Sequence, residues 1–146
     1  MDEQATADQV REVMLANDAA SRMLGLRITA ISPGRAVAVM TVRADMLNGF
    51  GLCHGGLIAT LADSAFAFAC NSRNALTVAS GFGIDIVKSA QLGDVLTATA
   101  EETSLAGRTG LYDIRVLNQR GELIAVFRGR SHRLGDRQVF DEGNAA

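Results

Sequence analysis

The apolar residues of the chain are most concentrated over residues 56–70, which read GLIATLADSAFAFAC. On a helix they would occupy nearly every side, the pattern of a helix that is buried all round. We therefore predict a long central helix over about residues 55–71. One full charge, Asp63, lies in the middle of this apolar segment. Its position requires a structural or a chemical explanation.

A second helical pattern precedes this segment. The spacing of TADQ, residues 6–9, fits a capping box, and Gly25 is suited to follow the last turn of a helix. Between them, apolar residues recur at helical intervals: Val10, Val13, Met14, Ala20 and Leu24. The pattern predicts one amphipathic N-terminal helix over about residues 8–24.

Several short runs have the composition and alternation of β-strands. LRITAIS and RAVAVMTVR flank Pro33 and Gly34, which predicts a hairpin. After the central helix come TVASGFGIDIV, VLTATAEETSL, GLYDIRVLN and a further strand-like run. The second and third of these alternate apolar and polar residues, as strands with one buried face do. The order predicts an α+β domain in which an antiparallel sheet wraps around the long central helix.

Composition narrows the class of protein. The chain has 146 residues, of which 48% are hydrophobic and 21% charged, which is typical of one soluble domain over residues 1–146. No apolar run approaches the roughly 18 residues of a membrane span, and a net charge of −2 gives no reason to expect nucleic-acid binding. The acidic N-terminus does not resemble a secretory signal, so we expect a cytoplasmic protein with Cys53 and Cys70 as free thiols.

The predicted central helix begins with HGG, residues 54–56. Glycines at a helix start allow close approach to backbone N–H groups that have no partner within the helix. The helix dipole adds partial positive charge there, so the position suits an oxyanion or a polarised carbonyl group. The alternative is that Gly55 and Gly56 simply permit a tight turn.

Asp63 has no basic neighbour in sequence, because residues 48–72 contain neither lysine nor arginine. A buried, unpaired carboxylate is costly or has a raised pKa. One interpretation is a structural aspartate bonded to backbone N–H groups or a hydroxyl group. The other is a general base or nucleophile at a site that excludes most water.

Gly55 and Asp63 are eight positions apart, which is about 12 Å along a helix. They are therefore too distant to act on one carbonyl group from the same helix. Two copies whose central helices pack antiparallel about a twofold axis would bring the start of one helix to the middle of the other. We expect at least a homodimer with active sites at the subunit interface.

Several motifs together resemble one family. MLNGFGLCHGG, LADSAFAFACNS, GDVLTATAEE, TGLYDI and VFRGRSHRLG are similar to hotdog-fold acyl-CoA thioesterases of the phenylacetic acid degradation type, often called PaaI. The similarity runs from about Val10 to Gly135. It implies a hotdog fold, a dimer that doubles into a homotetramer, and hydrolysis of acyl-CoA thioesters without a metal or redox cofactor.

The resemblance also implies roles for individual residues. Asp63 matches the family's catalytic carboxylate, which would attack the thioester or activate a water molecule. Gly55 matches the glycine whose backbone N–H polarises the thioester oxygen. Asn48 matches an amide that orients substrate or water, although it could instead close the MLNG turn. His54 could help to hold the thioester or could be a local hydrogen-bonding residue.

An acyl-CoA substrate requires groups that contact the CoA phosphates. Arginine side chains and glycine-flanked turns suit phosphate oxygens, although such charges often only solvate strand edges. The candidates for substrate and CoA binding are Gly56, Lys88, Arg108, Thr109, Arg130 and His132. No spaced set of cysteine and histidine residues suggests a metal site.

The acyl group is less well defined by the residues. Five large apolar side chains could line an aromatic-sized pocket or could equally be core: Phe50, Leu61, Phe66, Phe68 and Phe82. The resemblance implies phenylacetyl-CoA or hydroxyphenylacetyl-CoA as substrate. Two other classes of function stay open, namely a non-catalytic acyl-CoA-binding or sensing hotdog module and an acyl-CoA hydratase or dehydratase.

Overall fold

A computed structural model describes residues 1–144, so the last two residues of the domain predicted over 1–146 lie outside the described residues. Its elements are α1 (Glu3–Ala16), α2 (Ala19–Leu24), β1 (Arg27–Ser32), β2 (Arg35–Thr41), α3 (Gly55–Asn71), β3 (Thr77–Ile86), β4 (Val95–Ala106), β5 (Thr109–Leu117) and β6 (Leu123–Arg133). Single 3₁₀ turns cover Ala44–Met46 and Glu142–Asn144. Within this part of the chain, no helix has the length and apolarity needed to cross a membrane.

The six strands form one antiparallel sheet in the order β1-β2-β4-β5-β6-β3. One face of the sheet packs on α3, which contacts all six strands. The other face points outward. The predicted architecture, an antiparallel sheet wrapped around a long central helix, is confirmed.

The N-terminal segment differs from its prediction. The prediction of a single helix over about residues 8–24 was wrong, because α1 ends at Ala16 and α2 starts at Ala19. The helix also starts earlier than TADQ, since the Asp2 carboxylate caps α1 by accepting from the Ala5 N–H at 2.7 Å. Asp18 accepts from the N–H of Ser21 and caps α2, so the two helices meet at a cap. Gly25 ends α2 with a φ of 67°, as the sequence suggested.

Helix α3 covers the range predicted for it, and its C-terminal end is fixed by side-chain hydrogen bonds. The Asn71 side chain accepts from the Thr77 N–H and donates to the Thr77 carbonyl, both at 2.9 Å. The Ser72 hydroxyl accepts from the Gly34 N–H at 2.8 Å. These bonds join the helix end to β3 and to the β1–β2 turn, because they satisfy polar groups that would otherwise be buried without partners.

The inner face of the sheet follows the alternation seen in the sequence. The residues predicted to share a face on β4 and β5 are at most 1% exposed: Leu96, Ala98, Ala100, Tyr112, Ile114 and Val116. Their partners on α3 include Leu61 and Ala65, both at 0% exposure. The core therefore lies between α3 and the concave side of the sheet.

One contact between helix and sheet leaves no space for a side chain. A Cβ atom on Gly129 of β6 would lie 2.7 Å from Cε2 of Phe66. The Phe66 ring also lies near two other aromatic rings, with centroid distances of 5.5 Å to Tyr112 and 6.0 Å to Phe127. The ring therefore cannot move away without disturbing the core.

We expect Gly129→Ala to lower the free energy of unfolding by about 1–3 kcal/mol, since it overpacks this contact. The matched control is Gly49→Ala, because no atom lies within 4 Å of a Cβ at Gly49. Thermal unfolding of both variants measures the difference. Equal melting temperatures for the two would contradict the steric argument.

Candidate active site

The Asp63 carboxylate is half-buried and lies in the middle of α3. Among residues 1–144 it makes no hydrogen bond and no ion pair. Burial raises its pKa above the ordinary aspartate value, because water is removed and no positive charge replaces it. The first structural interpretation of this residue, a carboxylate held by backbone N–H groups or a hydroxyl, therefore has no support from its contacts.

Asp63 borders a cavity of about 350 Å³. This is within the range of about 300–1,000 Å³ that small-molecule sites occupy. The cavity is lined by residues of α1, α3, β3 and the C-terminal segment: Met14, Asp63, Phe66, Ala67, Cys70, Asn71, Leu76, Thr77, Val78, Ala79 and Val139. Its wall is mostly apolar, with Asp63 as its one charged group. The carboxylate thus faces a space suited to an apolar acyl group.

The Cys70 thiol borders the same cavity but is not a second nucleophile. Burial raises its pKa to about 12; a backbone hydrogen bond opposes the shift and the negative charge of Asp63 adds to it. The residue therefore remains a neutral thiol at physiological pH, and a thiol is a poor nucleophile compared with a thiolate. Cys53 is also buried and free, as predicted.

His54 caps the start of α3. Its Nδ1 atom accepts from the Gly56 N–H at 3.1 Å. The Gly55 N–H, one position earlier, makes no hydrogen bond within residues 1–144. Of the two glycines, Gly55 is therefore the one with a free donor at the positive end of the helix.

Gly55 and Asp63 lie at opposite ends of strand β3. A Cβ on Gly55 would come within 2.9 Å of Ile86 Cδ1, so the start of α3 adjoins the last residue of β3. The Asp63 cavity is instead lined by Val78 and Ala79, near the first residues of that strand. The two groups do not meet within one chain, as the spacing of about 12 Å along the helix predicted.

Asn48 both closes a turn and offers a donor. Its Oδ1 atom accepts from the Phe50 N–H at 2.9 Å and the Leu52 N–H at 3.2 Å. Its Nδ2 atom has no partner in the described part of the chain. The two roles considered for Asn48, closing the turn and orienting the substrate or water, are therefore compatible, because each uses a different atom of the amide.

The candidate CoA-binding residues fall into two groups. Thr109, Arg130 and His132 lie together on the outer face of β5 and β6, where Thr109 is in register with His132. Arg108 is in the turn at the same end, and the Arg130 Nε donates to the Ser80 hydroxyl at 3.2 Å. These four residues are exposed and lie at the same end of the sheet, where the two arginines contribute positive charge.

The other two candidates lie elsewhere. Lys88 pairs with Glu122 near the start of β6, eight residues or about 26 Å along the strand direction from His132. The Gly56 N–H is already engaged by His54. Arg128, beside Arg130, forms a two-point pair with Asp113 at 2.9 Å for both bonds. The structure thus separates Lys88 from the main group within one chain.

Of the five apolar residues considered for the acyl pocket, only Phe66 lines the Asp63 cavity. Leu61 and Phe68 belong to the core, and Phe50 is 90% exposed. The sequence did not suggest the other walls, Met14, Leu76 and Val139. Only the helical periodicity of Met14 hinted that it faces inward. No group of three or more histidine, cysteine or acidic residues in the described residues could hold a metal ion.

Comparison with known proteins decides the family. A model of the thioesterase superfamily matches residues 50–125. This chain belongs to the thioesterase superfamily. It is 47% identical over 127 residues to the acyl-coenzyme A thioesterase PaaI of Escherichia coli K12, covering 87% of this chain and 91% of that protein.

Solved structures agree with this assignment. The structure of E. coli PaaI, from the phenylacetic acid degradation operon, superposes with a TM-score of 0.91 at 45% identity, covering 93% of this chain and 99% of that one. A Streptococcus mutans UA159 protein bound to acetyl CoA superposes with a TM-score of 0.74 at 26% identity, covering 77% and 91%. The hotdog fold and the predicted resemblance to acyl-CoA thioesterases of the PaaI type are confirmed.

The contacts of His54 give a testable prediction for this thioesterase. We expect His54→Ala to lower the free energy of unfolding by about 0.5–2 kcal/mol, because the cap of α3 is lost. His54→Asn should recover the stability and most of the hydrolytic rate, since asparagine also accepts at a helix N-cap. Thermal unfolding and thiol release from acyl-CoA measure the two effects. A stable His54→Asn variant without activity would instead indicate a direct role of the imidazole in the reaction.

Proposed function

The protein is an acyl-CoA thioesterase of the PaaI type, and we propose that it acts on phenylacetyl-CoA or hydroxyphenylacetyl-CoA with Asp63 as its reactive carboxylate. The observation that carries this proposal is an unpaired, half-buried carboxylate with a raised pKa on the wall of an apolar cavity of about 350 Å³. A carboxylate without partners in such a place is available for chemistry. The similarity to E. coli PaaI, which comes from the phenylacetic acid degradation operon, supports the aryl-acetyl class.

Asp63 can act by two routes. As a general base it takes a proton from water, the hydroxide attacks the thioester carbonyl, and the tetrahedral intermediate expels the CoA thiolate, which is then protonated. As a nucleophile it attacks the carbonyl itself and forms a mixed anhydride that water hydrolyses. Both routes release a carboxylic acid and CoA, and both require an ionised Asp63 beside the carbonyl carbon.

The thioester oxygen becomes negatively charged along either route. The Gly55 N–H is suited to stabilise this charge, because it has no other partner and lies at the start of a 17-residue helix. His54 acts as a positioning residue here, since it engages the next N–H and leaves that of Gly55 free. The Asn48 Nδ2 atom can orient the substrate or the attacking water.

We propose that Gly55 of one subunit and Asp63 of its partner form each site. The edge strand β3 supports a dimer, because along its ten residues every second residue offers its backbone N–H and C=O on the unpaired side. Its inward-facing Phe82 and Ile86 remain 52% and 44% exposed, because the rest of the chain covers them only in part. A second copy would bury both the strand edge and these side chains.

The geometry of β3 supports the shared site. If two copies of β3 pair antiparallel about a twofold axis near Phe82, Ile86 of one copy comes beside Val78 of the other. Gly55 adjoins Ile86, and Val78 lines the cavity of Asp63. The pairing would thus bring together the two groups that lie apart in one chain. Doubling of this dimer into a tetramer stays a prediction from the family.

The same pairing would complete the proposed CoA site. Val78 is in register with His132, so the end of a partner's β3, and with it Lys88, would approach the area of Arg108, Thr109, Arg130 and His132. We propose that this area binds the CoA phosphates, because guanidinium groups suit phosphate oxygens. The relative that was solved with acetyl CoA supports CoA as the ligand.

We expect Asp63→Asn to lower thiol release from phenylacetyl-CoA by about 100- to 10,000-fold, since the amide cannot act as a base. Wild type and variant are compared on phenylacetyl, hydroxyphenylacetyl, benzoyl and straight-chain acyl-CoA. Wild-type turnover by the variant would remove Asp63 from the mechanism. Substrate binding without thiol release by the wild type would favour a sensing module, and hydration without thiol release a hydratase.

The raised pKa of Asp63 predicts a pH profile and a stability difference. The acidic limb of kcat/KM should lie above the ordinary aspartate value of about 3.9, because the reactive form is the carboxylate. The folded state binds this proton more tightly than the unfolded state, so ionisation lowers stability as pH rises through the two pKa values. Asp63→Asn lacks this penalty and should unfold at or above the wild-type temperature at pH 7.

A further inference from the structure

The Asp63 cavity has a second hollow next to it. This surface groove of about 530 Å³ lies along the junction of α1 and α2 and is lined by Val13, Met14, Asn17, Asp18, Ala19, Ala20, Leu76 and Val139. Three of these residues, Met14, Leu76 and Val139, also line the cavity. Their side chains therefore lie between the apolar cavity and the more open groove, and we refer to them as the partition.

We infer that the partition limits the length of the acyl group, an inference that rests on the proposed function. Asp63 and Asn71 are eight positions apart on α3, so the cavity follows about 12 Å of the helix axis. With the thioester at Asp63, the acyl group extends toward Asn71 and Leu76. The partition closes that end, so a compact aryl-acetyl group fits and a long straight chain does not.

The polar groups at the closed end are already satisfied. The Asn71 amide donates to the carbonyls of Ala67 and Thr77 and accepts from the Thr77 N–H, and the Thr77 hydroxyl donates to the Ala75 carbonyl at 2.7 Å. This end therefore has no charged group for a carboxylate or ammonium on the substrate. The cavity therefore disfavours an acyl group with a charged far end, because burying an unpaired charge there is costly.

The partition is fixed in place from both sides. Val139 precedes Phe140, whose N–H and carbonyl both bond to the Asn74 side chain, at 3.0 and 2.9 Å. The Leu76 N–H donates to the Arg137 carbonyl at 3.0 Å, which anchors the same segment two residues earlier. Met14 is carried by α1, whose Val10 is fully buried in the core. The partition is therefore a fixed wall.

The test measures kcat/KM for phenylacetyl-CoA and for decanoyl-CoA and dodecanoyl-CoA. We expect Met14→Ala with Val139→Ala to raise the preference for the long chains by about tenfold or more, since a pocket discriminates by at least that factor for small changes in size. Asn74→Gly should also raise the preference for the long chains, because the C-terminal segment loses the side chain that anchors it. Glycine accepts the φ of 64° at this position. The control is Met23→Ala, on α2 and 66% exposed, which lines neither hollow.

The outcomes separate this inference from the proposed function. If the double variant folds, turns over phenylacetyl-CoA normally and keeps the wild-type chain-length preference, the inference alone is overturned. If the double variant does not fold, the single variants Met14→Ala and Val139→Ala take its place in the same test. No thiol release by the wild type from any acyl-CoA would overturn the proposed function and the inference together. A shift of equal size in Met23→Ala would also overturn the role of the partition.

Discussion

The packing of α3 against the concave face of the sheet determines where each functional group lies. The contact between Phe66 and Gly129 brings helix and strand so close that only a glycine fits on β6. Because α3 is buried along most of its length, its one carboxylate is removed from much of the water without gaining a partner. The same packing that stabilises the fold therefore raises the pKa of Asp63 and directs it into a cavity.

A helix this apolar also explains why a single chain cannot complete the site. The donor at Gly55 and the carboxylate at Asp63 are fixed on one rigid helix, so no movement of a loop can bring them together. Strand β3 connects the two positions, since Gly55 adjoins its last residue and the Asp63 cavity its first residues. Antiparallel pairing of this edge with a second copy would place the Gly55 end of one β3 beside the Asp63 end of the other. The proposed mechanism thus depends on the exposed edge as much as on the helix.

The periodicity of apolar residues was sufficient to predict the regular elements but not the walls of the cavity. The range of α3 and the buried faces of β4 and β5 could be predicted, because burial imposes a strict repeat on those residues. The break at Asn17 and Asp18 was missed, since apolar spacing continues through the cap that separates α1 from α2. Val139 could not be anticipated, because it lies in an irregular segment that the Asn74 side chain fixes through contacts distant in sequence.

The most direct test of the shared site is to mix two inactive variants, Asp63→Asn and Gly55→Pro. Proline is tolerated at the first position of a helix and removes the N–H, and His54 already has the extended backbone that a following proline requires. Gly55→Ala, which keeps the N–H, is the matched control and should stay active. If each site combines Gly55 of one subunit with Asp63 of the other, every mixed dimer has one intact site, and a statistical mixture should recover about a quarter of the wild-type rate. No recovery above the two parent variants, with mixed dimers demonstrated, would contradict the account.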